Sequence, residues 1–190
     1  MKLEQLQQQI LAAKKIHIVG SSSQKTSEHD TTLDMSLYSG VVEYHPEELV
    51  LTVKAGTTLK EIAQVLAENN QALPFDMSND IGTIGGAFAI GGAKLRDAVL
   101  GVKIIDGQGR ILNFGGQVMK NVAGYDVSRL LVGSKGQLAA ICEISFKVLP
   151  QNYIELSASP TKPTSQQSSS VRARIEQGIK QVFDPNGVFV

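Results

Sequence analysis

The sequence predicts a fold of mixed helix and strand, and three stretches predict it. Residues 115–148 (GGQVMKNVAGYDVSRLLVGSKGQLAAICEISFKV) read as loop, short helix, glycine turn and apolar strand. Residues 99–114 place two apolar runs around Asp106-Gly107-Gln108-Gly109, the pattern of a β-hairpin. Residues 49–55 (LVLTVKA) alternate as a strand does and run into a segment whose apolar residues recur at helical spacing.

Taken in order, Leu3, Leu6, Ile10 and Leu11 place a small amphipathic helix over 2–14, and 16–19 is a short strand. The loop Gly20-Ser21-Ser22-Ser23-Gln24-Lys25-Thr26 follows. Its small residues offer N–H and hydroxyl donors and Lys25 adds a positive charge, which suits a diphosphate; a solvated serine loop is the plainer reading. It is not a Walker A loop, because the GxxxxGK[ST] spacing is absent. Strands are expected at 33–38 and 41–44, with a turn at His45-Pro46, so His45 reads as a turn residue rather than a base.

After the strand at 49–55, Thr57 or Thr58 caps a helix with Glu61 in its first turn. Leu59, Ile62, Ala63, Val65 and Leu66 form its apolar face, which fades at Asn69-Asn70. Gly82-Thr83-Ile84-Gly85-Gly86 opens a second glycine cluster that Gly91-Gly92 extends. Backbone carrying so little side chain can approach a ligand closely. Arg96-Asp97 reads equally as a surface pair. The hairpin strands at 99–105 and 110–114 come next.

In the last part of the body, Gly124 breaks the chain, and Val127, Leu130 and Leu131 recur at helical spacing so as to bury one face. Gly133 and Gly136 end that helix and open a tight turn before a strand at 138–148. Residues 157–170 (SASPTKPTSQQSSS) have no apolar face and read as a linker. Val171, Ile175, Ile179 and Val182 resume a helical pattern, and Phe183-Asp184-Pro185-Asn186-Gly187 is a turn.

Net charge is zero and hydrophobic residues make up 42%, so the chain has a core and lacks the basic field that nucleic acid or an anionic membrane would call for. Cys142 is the only cysteine. Inside an apolar strand it is expected to be an inert buried thiol, and a cytosolic setting fits. The N-terminus carries no apolar signal segment, and no apolar run approaches the ~20 residues a membrane span needs. His17, His29 and His45 have no partner at metal or triad spacing, and HxH, HExxH and CxxC are all absent. No metal site is expected, and the residues name no catalytic group.

These motifs occur in one order: the small-residue loop after the first strand, LTVKAGTTLKEI, GTIGG, RDAVLGVKIIDGQG, MKNVAGYDVSRLLVGSKGQLAAICEISFKVLP and a terminal FDPNGVF. In that order they resemble the PCMH-type FAD-binding domain of the vanillyl-alcohol oxidase superfamily, and within it the FAD-binding subunits of bacterial glycolate oxidases. The resemblance covers residues 16–150 and 171–190, and KNVAGYD…GSKGQL is its most specific part. It implies an α+β fold of two α+β subdomains, a smaller one at 1–76 and a larger one at 77–150, with FAD in the cleft between them. It further implies a polar linker at 151–170 where relatives carry a substrate or cap domain, and a C-terminal helix and FDP turn at 171–190.

By the same resemblance, Gly20, Ser21, Ser22, Ser23, Gln24 and Lys25 match the first diphosphate loop. Gly82, Thr83, Gly85 and Gly86 match the second loop, and Gly124, Tyr125 and Asp126 match the motif lining the cofactor. Gly133, Ser134 and Gly136, with Ile141 at the start of the strand, match the adenine-side contacts. Read as residues alone, Tyr125 serves equally as a packed aromatic, Asp126 as a helix cap and Lys120 as a solvated charge.

Three departures from the family pattern stand out: a first loop rich in serine rather than glycine, a shorter stretch between Gly92 and Arg96, and the polar linker in place of the cap domain. The resemblance implies an oxidoreductase subunit that holds FAD for electron transfer, working with a second flavin subunit and an iron–sulfur subunit. It places the protein in the cytoplasm or on a membrane through those partners, and implies no turnover by this chain alone. The departures motivate the alternative, a structural subunit that kept the fold and lost the flavin.

Overall fold

The computed structural model describes residues 1–21, 31–75, 82–116, 126–156 and 170–190. Its centre is a five-stranded antiparallel sheet in the order β3-β4-β8-β6-β7, built from β3 (Val41–His45), β4 (Val50–Lys54), β6 (Val99–Ile105), β7 (Ile111–Gly115) and β8 (Ala140–Lys147). Two of these strands precede residue 76 and three follow it, so both halves of the chain build one sheet.

Strand β8 is central because every second residue is apolar. Cys142, Ile144 and Phe146 are fully buried, while Glu143, Ser145 and Lys147 face the other way and stay half-buried. Leu51 and Val53 of β4 and Ile104 and Ile105 of β6 complete the same core. Fully burying each such side chain is worth about 1.5–3 kcal/mol. The polar face carries a cross-strand row: Lys54 is paired with Glu143, and Glu143 receives Lys103 at 2.6 Å and the Tyr38 hydroxyl at 3.0 Å.

Two smaller layers flank the sheet. Helix α1 (Leu3–Ala12) buries Leu6 and Ile10, and β1 (Ile16–Val19) pairs in parallel with β2 (Thr31–Asp34). The strand expected at 33–38 ends early. The Asp34 carboxylate accepts from Ser36 N–H at 2.9 Å and turns the chain into a 3-10 turn at Met35–Leu37. Helix α2 (Leu59–Ala67) follows β4 as expected, and Thr58 is its cap. Thr58 Oγ1 accepts from Glu61 N–H while Glu61 accepts from Thr58 N–H, and Leu59, Ile62 and Leu66 are buried.

The third layer closes the chain. The two-residue strands β5 (Gln71–Ala72) and β9 (Leu149–Pro150) pair, and α6 (Gln151–Leu156) begins where a polar linker was expected. Helix α7 (Ser170–Phe183) forms as predicted but on a different face. Phe183 is buried and Ile179 packs on the core, whereas Ile175 and Val182 are 58% and 67% exposed. The FDP turn then brings Phe189 beside Ile16, with Ile16 N–H donating to Val188 O at 2.8 Å and Val190 N–H to Ile16 O at 3.2 Å.

Candidate functional site

The loop that leaves β4 builds the site. Gly56 is wedged where a Cβ would stand 2.0 Å from Met35 O, and Thr57 Oγ1 donates to Lys54 O at 2.7 Å. This fixes two carbonyls as acceptors: Ile84 N–H donates to Thr57 O at 2.9 Å and Gly85 N–H to Ala55 O at 2.8 Å. Leu59 N–H donates to Gly82 O at 3.1 Å. The second glycine cluster is thereby stitched to the β4–α2 loop.

That cluster differs from its expected form as a loop: it is the start of helix α3 (Ile84–Ile90). Thr83 caps it, its hydroxyl accepting from Gly86 N–H at 3.2 Å, and Ile84 and Phe88 are fully buried one turn apart. Gly85 is required by packing, since a Cβ there would stand 2.9 Å from both Ala55 O and Ala55 Cβ. Among the described residues nothing lies within 4 Å of Gly82 on its Cβ side.

The other glycine turns come to the same place. Gly20 ends β1 against Thr83, where a Cβ would lie 2.7 Å from Thr83 Oγ1. Gly91 has a φ of +82° and would put a Cβ 2.8 Å from Gly133 Cα. Gly133, with a φ of +87°, donates its N–H to Phe88 O, and Lys135 N–H donates to Ala89 O, both at 2.9 Å. Gly136, with a φ of +74°, faces Ile18 of β1, whose Cβ a Cβ at Gly136 would meet at 3.6 Å. Three turns far apart in sequence therefore converge around Thr83, Gly91 and Ile18. Sequence reasoning had singled out Gly91 as part of a glycine cluster but not as the contact between the second and third turns.

The amide inventory departs from expectation. The N–H groups of Ile84, Gly85, Gly86, Gly133, Ser134 and Lys135 all donate within the protein. Most of these glycines serve close packing between turns. Among the described residues one buried side-chain polar atom is left over: Ser134 Oγ has no hydrogen-bond partner, and a buried orphan of this kind costs about 1–3 kcal/mol until something bonds it. Such an orphan fits a polar partner at the third turn.

Other expected site residues fall elsewhere. Ser21 directly follows Gly20, while Ser22, Ser23, Gln24, Lys25, Gly124 and Tyr125 lie outside the described residues. Asp126 caps α5 (Val127–Leu130): its carboxylate accepts from Arg129 N–H at 3.1 Å and Ser128 Oγ at 2.7 Å, and it pairs with the Arg129 guanidinium at 3.1 Å. The expected face of this helix is only partly buried, because Leu130 is 47% exposed. Ile141 is inside β8 with its side chain in the core, 6% exposed. Arg96 and Asp97 are both exposed, and Arg96 Nη2 donates to Val132 O at 3.4 Å.

Cys142 and His45 are two further side chains singled out by chemistry among the described residues, and neither is in a glycine turn. Burial, then the nearby Glu143 charge, pushes the Cys142 thiol up to about 12, as an inert core cysteine requires. His45 is raised by its hydrogen bond to Glu43, 2.7 Å away at the surface. Among the described residues no group of three or more His, Cys, Asp or Glu side chains could hold a metal ion. No described helix is long and apolar enough to cross a membrane.

The family model described as an FAD binding domain matches residues 5–115, more than half of the chain. The chain belongs to the FAD binding domain family. Glycolate oxidase subunit GlcE of Escherichia coli (strain K12) is 44% identical over 168 residues, covering 82% of this chain and 48% of that protein. D-lactate dehydrogenase of Archaeoglobus fulgidus is 32% identical over 118 residues, covering 58% of this chain and 27% of its own. Glycolate oxidase subunit GlcD of Bacillus subtilis (strain 168) is 33% identical over 120 residues, covering 58% and 26%. The chain thus spans half or less of the length of these relatives. Alkyldihydroxyacetonephosphate synthase shares the fold, with a TM-score of 0.63 at 20% identity over 77% of this chain and 30% of that one. This FAD binding domain is of mixed helix and sheet, the α+β class expected, and the first two glycine turns lie within its matched residues.

Proposed function

We propose that this chain is the FAD-binding subunit of a glycolate (2-hydroxy-acid) oxidase complex, holding FAD for electron transfer between subunits. The observation that carries the proposal is the convergence of the turns at Gly20, Thr83–Gly91 and Gly133–Gly136, with Ser134 Oγ orphaned in the third, in a chain of the FAD binding domain family. The 44% identity to subunit GlcE supports the choice of complex.

FAD, when bound, supplies a group that accepts and passes on electrons. The chain's own residues hold it: Gly82 leaves room for its approach, Ser134 Oγ offers a hydroxyl, and Thr83 keeps the second turn in register with the first. Gly86 and Gly136 keep the turns free of side chains. Gly20, Ser21, Ser22, Ser23, Gln24 and Lys25 form the first diphosphate loop, and Gly124 and Tyr125 line the cofactor in this reading. The halves at 1–76 and 77–150 divide the cofactor contacts rather than the sheet, which both build. A second flavin subunit and an iron–sulfur subunit are the proposed partners, and any membrane association runs through them.

The test is the visible spectrum of the purified protein. Flavin absorption bands, with FAD released on denaturation, are the expected result; a colourless protein that cannot be reconstituted with FAD contradicts it. A second reading, a structural subunit that has lost the flavin, draws on the internal use of the turn amides. It predicts that colourless protein still assembles with its partner subunits.

A further inference from the structure

Two aspartates with fully buried side chains, Asp106 and Asp184, are each paired with a cation four residues away, Arg110 and Lys180. At Asp106 the pairing is local: Arg110 Nε and Nη2 donate to Oδ2 at 2.7 Å, and Oδ1 takes the N–H groups of Gln108 and Arg110. The hairpin turn also touches the FDP turn, Gly107 N–H donating to Phe183 O at 2.9 Å, but none of its side-chain bonds reaches a cofactor turn. At Asp184 the carboxylate takes Val188 N–H at 2.8 Å and Phe189 N–H at 2.9 Å, folding the FDP turn. Its cation does something additional. An ammonium has three N–H donors, and Lys180 Nζ donates to three acceptors in two segments: Asp184 Oδ2 at 2.6 Å and Phe189 O at 2.8 Å in the C-terminal segment, and Gln137 O at the end of the third glycine turn.

The bond to Gln137 is not needed to neutralise Asp184, yet it fastens the third turn to the C-terminal segment. That segment holds β1 on both sides of Phe189, through Ile16 N–H to Val188 O and Val190 N–H to Ile16 O. Strand β1 in turn carries Ile18, which Gly136 faces, and leads directly into Gly20, which lies against Thr83. We propose that Lys180 is a positioning residue for the cofactor turns: it clamps the third turn to the first, so that flavin affinity depends on a side chain that touches no flavin. This inference rests on the flavin-binding reading above.

The test measures FAD affinity by flavin fluorescence, together with thermal stability, for the wild-type chain, Lys180→Met and Arg110→Met. Both variants strip the cation from a buried aspartate and both lower Tm, so Arg110→Met is the matched control for instability. Lys180→Met is expected to weaken FAD binding about tenfold or more and to speed amide hydrogen exchange at residues 134–137 in flavin-free protein. Arg110→Met is expected to do neither. In the wild-type chain, FAD is expected to slow exchange at 134–137 and at 180–190 together, a measurement that stands even where Lys180→Met does not fold. Wild-type protection confined to 134–137, unchanged affinity in Lys180→Met, or an equal loss in Arg110→Met overturns the clamp and leaves the flavin reading intact. A wild-type chain that takes up no FAD overturns both.

Discussion

The central sheet and the glycine turns are held together by opposite means. In the sheet, Ile144, Phe146, Leu51 and Ile104 fill a core with side chains, and stability comes from buried apolar area. Around Thr83, Gly91 and Gly133 there is little side chain at all, and backbone packs on backbone. The lesson is that glycine here does two jobs. Gly85 and Gly91 are needed by the protein itself, whereas a Cβ at Gly82 meets none of the described residues, and in the proposed reading that space is the ligand's. The difference makes the two regions separable by mutation.

The largest expected effect is in the sheet. Phe146, fully buried and 5.9 Å from the ring of Phe75, should cost about 3–5 kcal/mol when truncated to alanine. Urea melts would report the loss, while flavin per folded molecule stays unchanged; a parallel loss of flavin would break the separation. Next comes Gly91→Ala, where the positive φ and the clash with Gly133 Cα are expected to cost about 1–3 kcal/mol. Here stability and flavin affinity should fall together, read by thermal melting and fluorescence titration.

Smaller again is Thr58→Ala, which removes the cap of α2 for about 1 kcal/mol. The hydrogen bonds from Thr58 hold the Glu61 carboxyl below its ordinary value. Its stabilisation is thus present above the ordinary carboxylate value and is lost as pH falls through the lower folded value. Stability of Thr58→Ala should fall less steeply in acid than wild type, measured by melts across that range. The smallest effect is at His45, whose value is raised by Glu43. The sign is reversed: the pair stabilises below the ordinary histidine value and the contribution fades as pH rises through the raised one. Both groups are exposed, so Glu43→Gln should change Tm by little at any pH.

What was legible in the sequence follows the same division. The T-x-x-E cap of α2, the Asp106–Gly109 hairpin and the apolar run of β8 are local patterns, and each formed where expected. Helix α3 was hidden because its glycine pairs read as loop, although the threonine cap and the Ile84/Phe88 spacing were there to find it. Asp34 ended β2 through a side-chain turn that strand propensity does not register. The exposed Ile175 and Val182 show that periodicity names a face without saying which face is covered. The meeting of Gly20 with Thr83 and of Gly91 with Gly133 joins residues tens of positions apart, and no local pattern encodes it. The resemblance to a flavoprotein family supplied that convergence; the residues alone supplied only the glycines.

The claim that the turns form a flavin cradle is tested most directly at Gly82, where a Cβ meets no atom of the described residues within 4 Å. The measurement is an FAD titration of wild type and Gly82→Leu, with melts of both flavin-free proteins alongside. The account predicts flavin-free stability within about 0.5 kcal/mol of wild type, as for a surface substitution, with FAD bound by the wild type and not by the variant. Equal FAD binding by the two proteins would contradict it.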